Sequence, residues 1–103
     1  MPVAVIQEWA EGGSETTNYD AINQRLRESE AAPEGFLMHA AGATPAGGFN
    51  IIEVWESREH FDRFVAEQLM PILRDLQVSG DEAAAPTVTT YELRNFVSVP
   101  STG

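Results

Sequence analysis

The 103-residue chain contains no cysteine and no lysine. Without thiols it has no disulfide to staple a small core, no thiolate metal or iron–sulfur site and no cysteine nucleophile. Its only basic residues are six arginines, Arg25, Arg27, Arg58, Arg63, Arg74 and Arg94, set against sixteen acidic residues, for a net charge of −10. Such a surface repels phosphate backbones and anionic lipid, and the arginines form no stripe, so neither nucleic acid nor membrane is an expected partner. No apolar run approaches the ~18 residues of a membrane span, and Met1-Pro2 leads into a strand-like run without a basic stretch ahead of it. A cytoplasmic location is therefore expected. An apolar share of 43% excludes a disordered chain and fits one domain with one core. A domain this short buries only roughly 60–65% of its unfolded surface, so help from a partner is expected.

The segment from Val3 to Trp9 is rich in β-branched and aromatic residues and reads as a strand, stopped by Glu11-Gly12-Gly13. Thr17 and Asp20 have capping-box spacing, with Ser14 and Thr16 as competing caps, and Tyr19, Ile22 and Leu26 carry a helix to about Glu30. Phe36–Ala41 and Phe49–Glu56 read as a strand pair joined by the turn-rich linker 42–48. The third strand is apolar at both parities, so both its faces are expected to be covered.

Ser57 is the expected cap of a second helix, whose residues Phe61, Phe64, Val65, Leu69, Ile72, Leu73 and Leu76 share one face. Pro71 lacks a backbone donor and should kink or restart that helix. A loop over 77–86 and a last strand over 87–97 complete the chain, with 98–103 as a frayed tail.

The order β-α-β-β-α-β with right-handed crossovers predicts an α+β, ferredoxin-like domain over residues 1–97. Its four-stranded antiparallel sheet would carry both helices on one face. The other face would be bare and apolar, and a homodimer joined sheet to sheet would cover it.

Trp55-Glu56-Ser57, followed by Arg58-Glu59-His60-Phe61-Asp62-Arg63-Phe64, resembles the antibiotic-biosynthesis monooxygenase family of dimeric α/β-barrel proteins. The resemblance implies a dimeric barrel with a pocket between helices and sheet in each protomer. It also implies cofactor-free oxygenation of an electron-rich aromatic or quinol-type metabolite, or a non-catalytic binding or accessory role on the same fold. The haem-degrading branch of that family uses an asparagine on the first strand, then a tryptophan and a histidine on the second helix. Those positions hold Gln7, Phe64 and Arg74 here, so haem is not expected.

His39, among apolar neighbours on the second strand, is the best general base in the chain, because a neutral imidazole titrates near working pH. Its alternative is a hydrogen-bonded histidine at the dimer seam or a sheet edge. Asn50 could orient a phenol or a developing oxyanion, or else make a local turn bond. Tyr91 and Tyr19 could bring hydroxyls into the same space, or pack half-buried with satisfied tips. Trp9 and Trp55 end their strands, and the sheet could bring them to one mouth to line a slot for a flat ring or to plug the barrel. Phe64 is core first and pocket lining second. His60 is expected on the surface.

Glu53 and Glu56, three residues apart on one strand, point to opposite faces and form no carboxylate pair. No metal site is expected. No nucleotide or flavin motif is present either, since Gly12-Gly13 and Gly47-Gly48 lack the spacing and lysine of a phosphate loop.

Overall fold

The computed structural model describes residues 1–11, 17–28, 32–76 and 86–97. They form β1 (Val3–Trp9), α1 (Thr17–Glu28), β2 (Phe36–Ala43), β3 (Phe49–Trp55), α2 (Arg58–Phe64), a π-helical turn (Val65–Leu69), α3 (Met70–Asp75) and β4 (Thr87–Glu92). The sheet order is β2-β3-β1-β4, and every pairing is antiparallel. This is the expected ferredoxin-like α+β arrangement, with the two most apolar strands, β1 and β3, at its centre. Among the described residues no helix is long and apolar enough to cross a membrane.

Register assigns the two faces of the sheet. Val3 pairs with Trp55 and Val5 with Glu53. Trp55 lies within ring-contact distance of Phe61 (5.9 Å) and Phe64 (5.0 Å) from α2, so this parity faces the helices. Val3, Val5, Trp55 and Phe64 are the buried centre of the core, with Leu26, Phe36, Phe61, Val65 and Leu69 packed around them. Side chains alternate across a strand, so Ala4, Ile6, Asn50, Ile52 and Tyr91 fall on the opposite face. Ile52 and Tyr91 are exposed there, 39% and 49%, large apolar surface for so small a sheet.

Several element ends differ from the sequence expectation. The last strand stops at Glu92 because its partner runs out. Glu92 pairs with Val3, the first residue of β1, and Leu93 makes a final bond from its N–H to the carbonyl of Pro2. Pro2 has no N–H to return, so the ladder cannot continue through Val97. Glu56 leaves β3 because its N–H donates to Gly35 rather than to the ladder (2.8 Å). β2 extends to Ala43, which shortens the hairpin connection. That turn closes through Thr44, whose N–H donates to the Gly48 carbonyl and whose hydroxyl accepts from the Gly48 N–H.

Ser57 caps α2 as expected, accepting from the His60 N–H at 3.2 Å. Pro71 acts in two ways. It sits in the first turn of α3, where its missing donor costs nothing, and the turn just before it is π-helical, with the Met70 N–H reaching back to the Val65 carbonyl. The expected caps Ser14 and Thr16, the helix end at Glu30, most of the 77–86 loop and the 98–103 tail lie outside the described residues.

Candidate functional site

β2 and β3 place His39 directly opposite Glu53 on the helix-facing side of the sheet. There His39 Nδ1 lies 2.8 Å from Glu53 Oε2. An ionised carboxylate only accepts, so Nδ1 carries the proton, and in the neutral ring Nε2 is left as the acceptor. That acceptor is taken by the Tyr19 hydroxyl, 2.8 Å away on the first turn of α1. The second Glu53 oxygen accepts from Trp55 Nε1 at 3.2 Å. A line of four side chains thus runs from the core outward: Trp55, Glu53, His39, Tyr19.

Burial grades along this line. Trp55 is 1% exposed and Glu53 9%, whereas the His39 side chain is 29% exposed. A buried carboxylate is tolerated only when its oxygens are satisfied, and here both are. The Tyr19 phenol is held above its ordinary pKa of 10.0, mainly by partial burial and then by the negative charges of Asp20 and Glu53, with Arg27 opposing. It therefore remains a hydrogen-bond donor through the physiological range. Its ring lies nearly parallel to that of His39 (14°, centroids 6.1 Å apart) and 5.2 Å from Phe49, which in turn lies 6.3 Å from Trp9. The outward end of the relay thus opens beside an aromatic row.

The structure brings together some of the residues singled out from sequence and separates others. His39 and Tyr19 meet, and Trp9 borders them through Phe49. Asn50 and Tyr91 lie on the opposite face of the sheet and do not share a space with His39. Trp9 and Trp55 do not meet at one mouth. Both end their strands, and antiparallel pairing sets those ends against Phe49 and Val3, roughly 20 Å apart along the sheet. Trp55 and Phe64 close the core rather than line an opening. His60 is half-buried, its Nδ1 at 2.7 Å from Ser57 Oγ and its ring against Gly35, where no side chain would fit.

Glu53 and Phe49 are the site residues that reading the sequence missed. The signal for Glu53 was a charged residue inside an apolar strand, at the same parity as Trp55.

Among the described residues, clefts lie away from this line of side chains. A wide, open one of about 540 Å³ is bordered by Arg25, Arg74, Asp75, Pro71 and Ile72, and a small one of about 80 Å³ lies beside His60. Among the described residues no group of three or more His, Asp or Glu side chains converges as metal ligands. Both histidines are hydrogen-bonded, His39 to Glu53 and Tyr19 and His60 to Ser57.

No protein-family model and no curated protein matches this sequence. Solved structures do match in fold. Rv0793 from Mycobacterium tuberculosis is 17% identical with a TM-score of 0.69, over 95% of this chain and 100% of that one. SnoaB, a cofactor-independent oxygenase from Streptomyces nogalater, is 18% identical with a TM-score of 0.60, over 93% and 96%. MhuD from Mycobacterium tuberculosis, a heme-degrader with two hemes bound in its active site, is 15% identical with a TM-score of 0.63, over 95% and 100%. Other matching structures are described as antibiotic biosynthesis monooxygenases. The chain has the fold of the antibiotic-biosynthesis monooxygenase-like proteins.

The relay makes a titration prediction. Only two tyrosines, Tyr19 and Tyr91, are present. An ultraviolet absorbance titration should show one phenol ionising above the ordinary value of 10.0, and that step should vanish in Tyr19→Phe. Because the folded-state pKa is raised, this group's contribution to stability is complete below about pH 10 and is lost as pH rises through the folded value. Both phenols ionising together at the ordinary value would contradict the burial and charge environment described for Tyr19.

Proposed function

We propose that this protein is a small cofactor-independent oxygenase acting on an electron-rich aromatic or quinol-type molecule, with His39 as its base. The observation that carries this reading is the acceptor character of His39 Nε2, set by Glu53 and met in this structure by the Tyr19 hydroxyl at an aromatic edge. Nε2 takes a phenolic or activated C–H proton, and the resulting electron-rich anion reduces oxygen directly. For an activated ring methylene the balance is CH2 + O2 → C=O + H2O. One oxygen atom becomes the carbonyl, the other leaves as water, and the substrate supplies all the electrons. Tyr19, Phe49 and Trp9 flank the ligand in this reading. Asn50 and Tyr91 then belong to the opposite face and to the contact with a partner copy.

A second reading, a non-catalytic binding or accessory protein, is favoured by the filled space between α2 and the sheet, where Trp55 and Phe64 are buried, and by clefts that do not reach His39. Oxygen uptake with a panel of phenols and quinols separates the two. His39→Ala should lower the rate by about 10²–10⁴-fold if His39 is the base. A rate unchanged within about twofold, in a folded variant, removes His39 from that role. In the accessory reading no member of the panel is turned over, and His39→Ala alters only stability or affinity.

We also infer a cytoplasmic homodimer, closed through the face that exposes Ile52 and Tyr91. Light scattering at micromolar concentration should return a dimer, and Ile52→Glu should convert it to monomer, because a buried unpaired carboxylate at the seam is costly. A native protein that is strictly monomeric at that concentration overturns this assembly.

A further inference from the structure

The relay carries more than a base. Resting on the oxygenase reading for its relevance to turnover, but not for its physical basis, we propose that Tyr19 is a resident stand-in for the ligand. Its phenol occupies the acceptor nitrogen of a Glu53-oriented His39, and the site takes flat molecules whose own acidic ring hydroxyl replaces it.

Three observations support this assignment. The first is direction. Glu53 accepts from both His39 Nδ1 and Trp55 Nε1, so both its oxygens are committed and the Nδ1 proton is held in place. Nε2 is left basic and outward, and it can bind only a donor. A ligand that offers a carbonyl or an ether there finds no proton to accept. One that offers a hydroxyl makes the bond that Tyr19 now makes.

The second is shape. The Tyr19 ring lies 14° from parallel with the imidazole and is met by Phe49 tilted at 59°. The group that satisfies His39 is therefore a flat aromatic ring carrying its hydroxyl in the ring plane. That geometry favours a phenol over an aliphatic alcohol.

The third is release. Glu53 and Trp55 are locked in the core, but Tyr19 and His39 sit where the relay reaches the surface, and their hydrogen bond is exposed. Tyr19 lies on the first turn of α1. The helix is tied to α3 near its far end, through the ion pair between Arg25 and Asp75. Rotation of one side chain frees Nε2 without disturbing the core. Tyr19 thereby sets selectivity: an incoming hydroxyl must out-compete a phenol, so more acidic, better-donating hydroxyls are preferred.

The test uses p-cresol, which is the tyrosine side chain as a free molecule, and its methyl ether, which has the same shape without the proton. Nitrogen NMR of the native protein should show the neutral His39 ring as the Nδ1–H tautomer, with Nε2 as the acceptor. The second histidine, His60, is assigned by its own substitution. p-Cresol should shift the Nε2 resonance, and the ether should not. Tyr19→Phe keeps the ring and deletes the competing hydroxyl, so p-cresol should bind it about three- to tenfold more tightly, the worth of one net hydrogen bond. Its affinity for the ether should stay the same.

Equal shifts from both probes, no shift from p-cresol at any soluble concentration, or weaker p-cresol binding to Tyr19→Phe would each overturn the proposal. The comparison of the two probes on the native protein holds even if a variant fails to fold. These readouts involve no turnover. An absence of oxygen uptake with p-cresol bound at His39 would count against oxygenation while leaving the ligand assignment standing.

Discussion

A carboxylate in the middle of an apolar strand must be answered on both of its oxygens, and in this protein that requirement organises both the core and the site. Glu53 sits on β3 between Ile52 and Val54, almost out of solvent. One oxygen receives the indole N–H of Trp55 and the other the imidazole N–H of His39. The first bond orients the largest fully buried side chain, which Phe36, Phe61 and Phe64 surround. The second orients the imidazole whose other nitrogen meets the Tyr19 hydroxyl. Leaving either donor unanswered would cost about 1–3 kcal/mol, so the carboxylate couples fold stability to the state of His39. Glutamine is a poor replacement, because its NH2 would set a donor against one of the two N–H groups that the second carboxylate oxygen now accepts.

The antiparallel register turns this local constraint into a division of labour between faces. Opposite partners share a face, so His39 and Glu53 meet on the helix side together with Val3, Val5 and Trp55. The same rule sends Asn50, Ile52 and Tyr91 to the other side. One face carries the Glu53–His39–Tyr19 line of hydrogen bonds bordered by aromatics. The other exposes Ile52 and Tyr91.

Much of this was legible in the sequence. Element order and the spacing of Phe61, Phe64, Val65 and Leu69 were enough for the ferredoxin-like plan, because period and turn chemistry are local. The Ser57 cap and the Pro71 interruption were legible for the same reason. The relay was not, because it depends on register across a hairpin and on the packing of α1 against β2. His39 could be singled out, but its pairing with Glu53 follows only once β2 is known to extend to Ala43 and to shift register between Phe36 and Met38. Counting spacing along β3 alone compared Glu53 with Glu56, which was the wrong partner. Trp9 and Trp55 misled for a related reason: both end strands, but the ends of antiparallel neighbours lie apart. The stop at Glu92 was set by Pro2, ninety residues earlier in the chain and invisible to any local pattern.

The central claim is that Glu53 serves two donors at once, and a double-mutant cycle in denaturant tests it most directly. Glu53→Gln should cost about 1–3 kcal/mol in the native background, where the amide NH2 opposes one of the two N–H donors. In a Trp55→Phe background the indole donor is gone and the single amide oxygen is enough for His39. The same substitution should then cost less than half as much, for a coupling of about 1 kcal/mol or more. Additive costs, equal within about 0.5 kcal/mol, would mean that the two bonds are independent and that Glu53 does not join the core to the site.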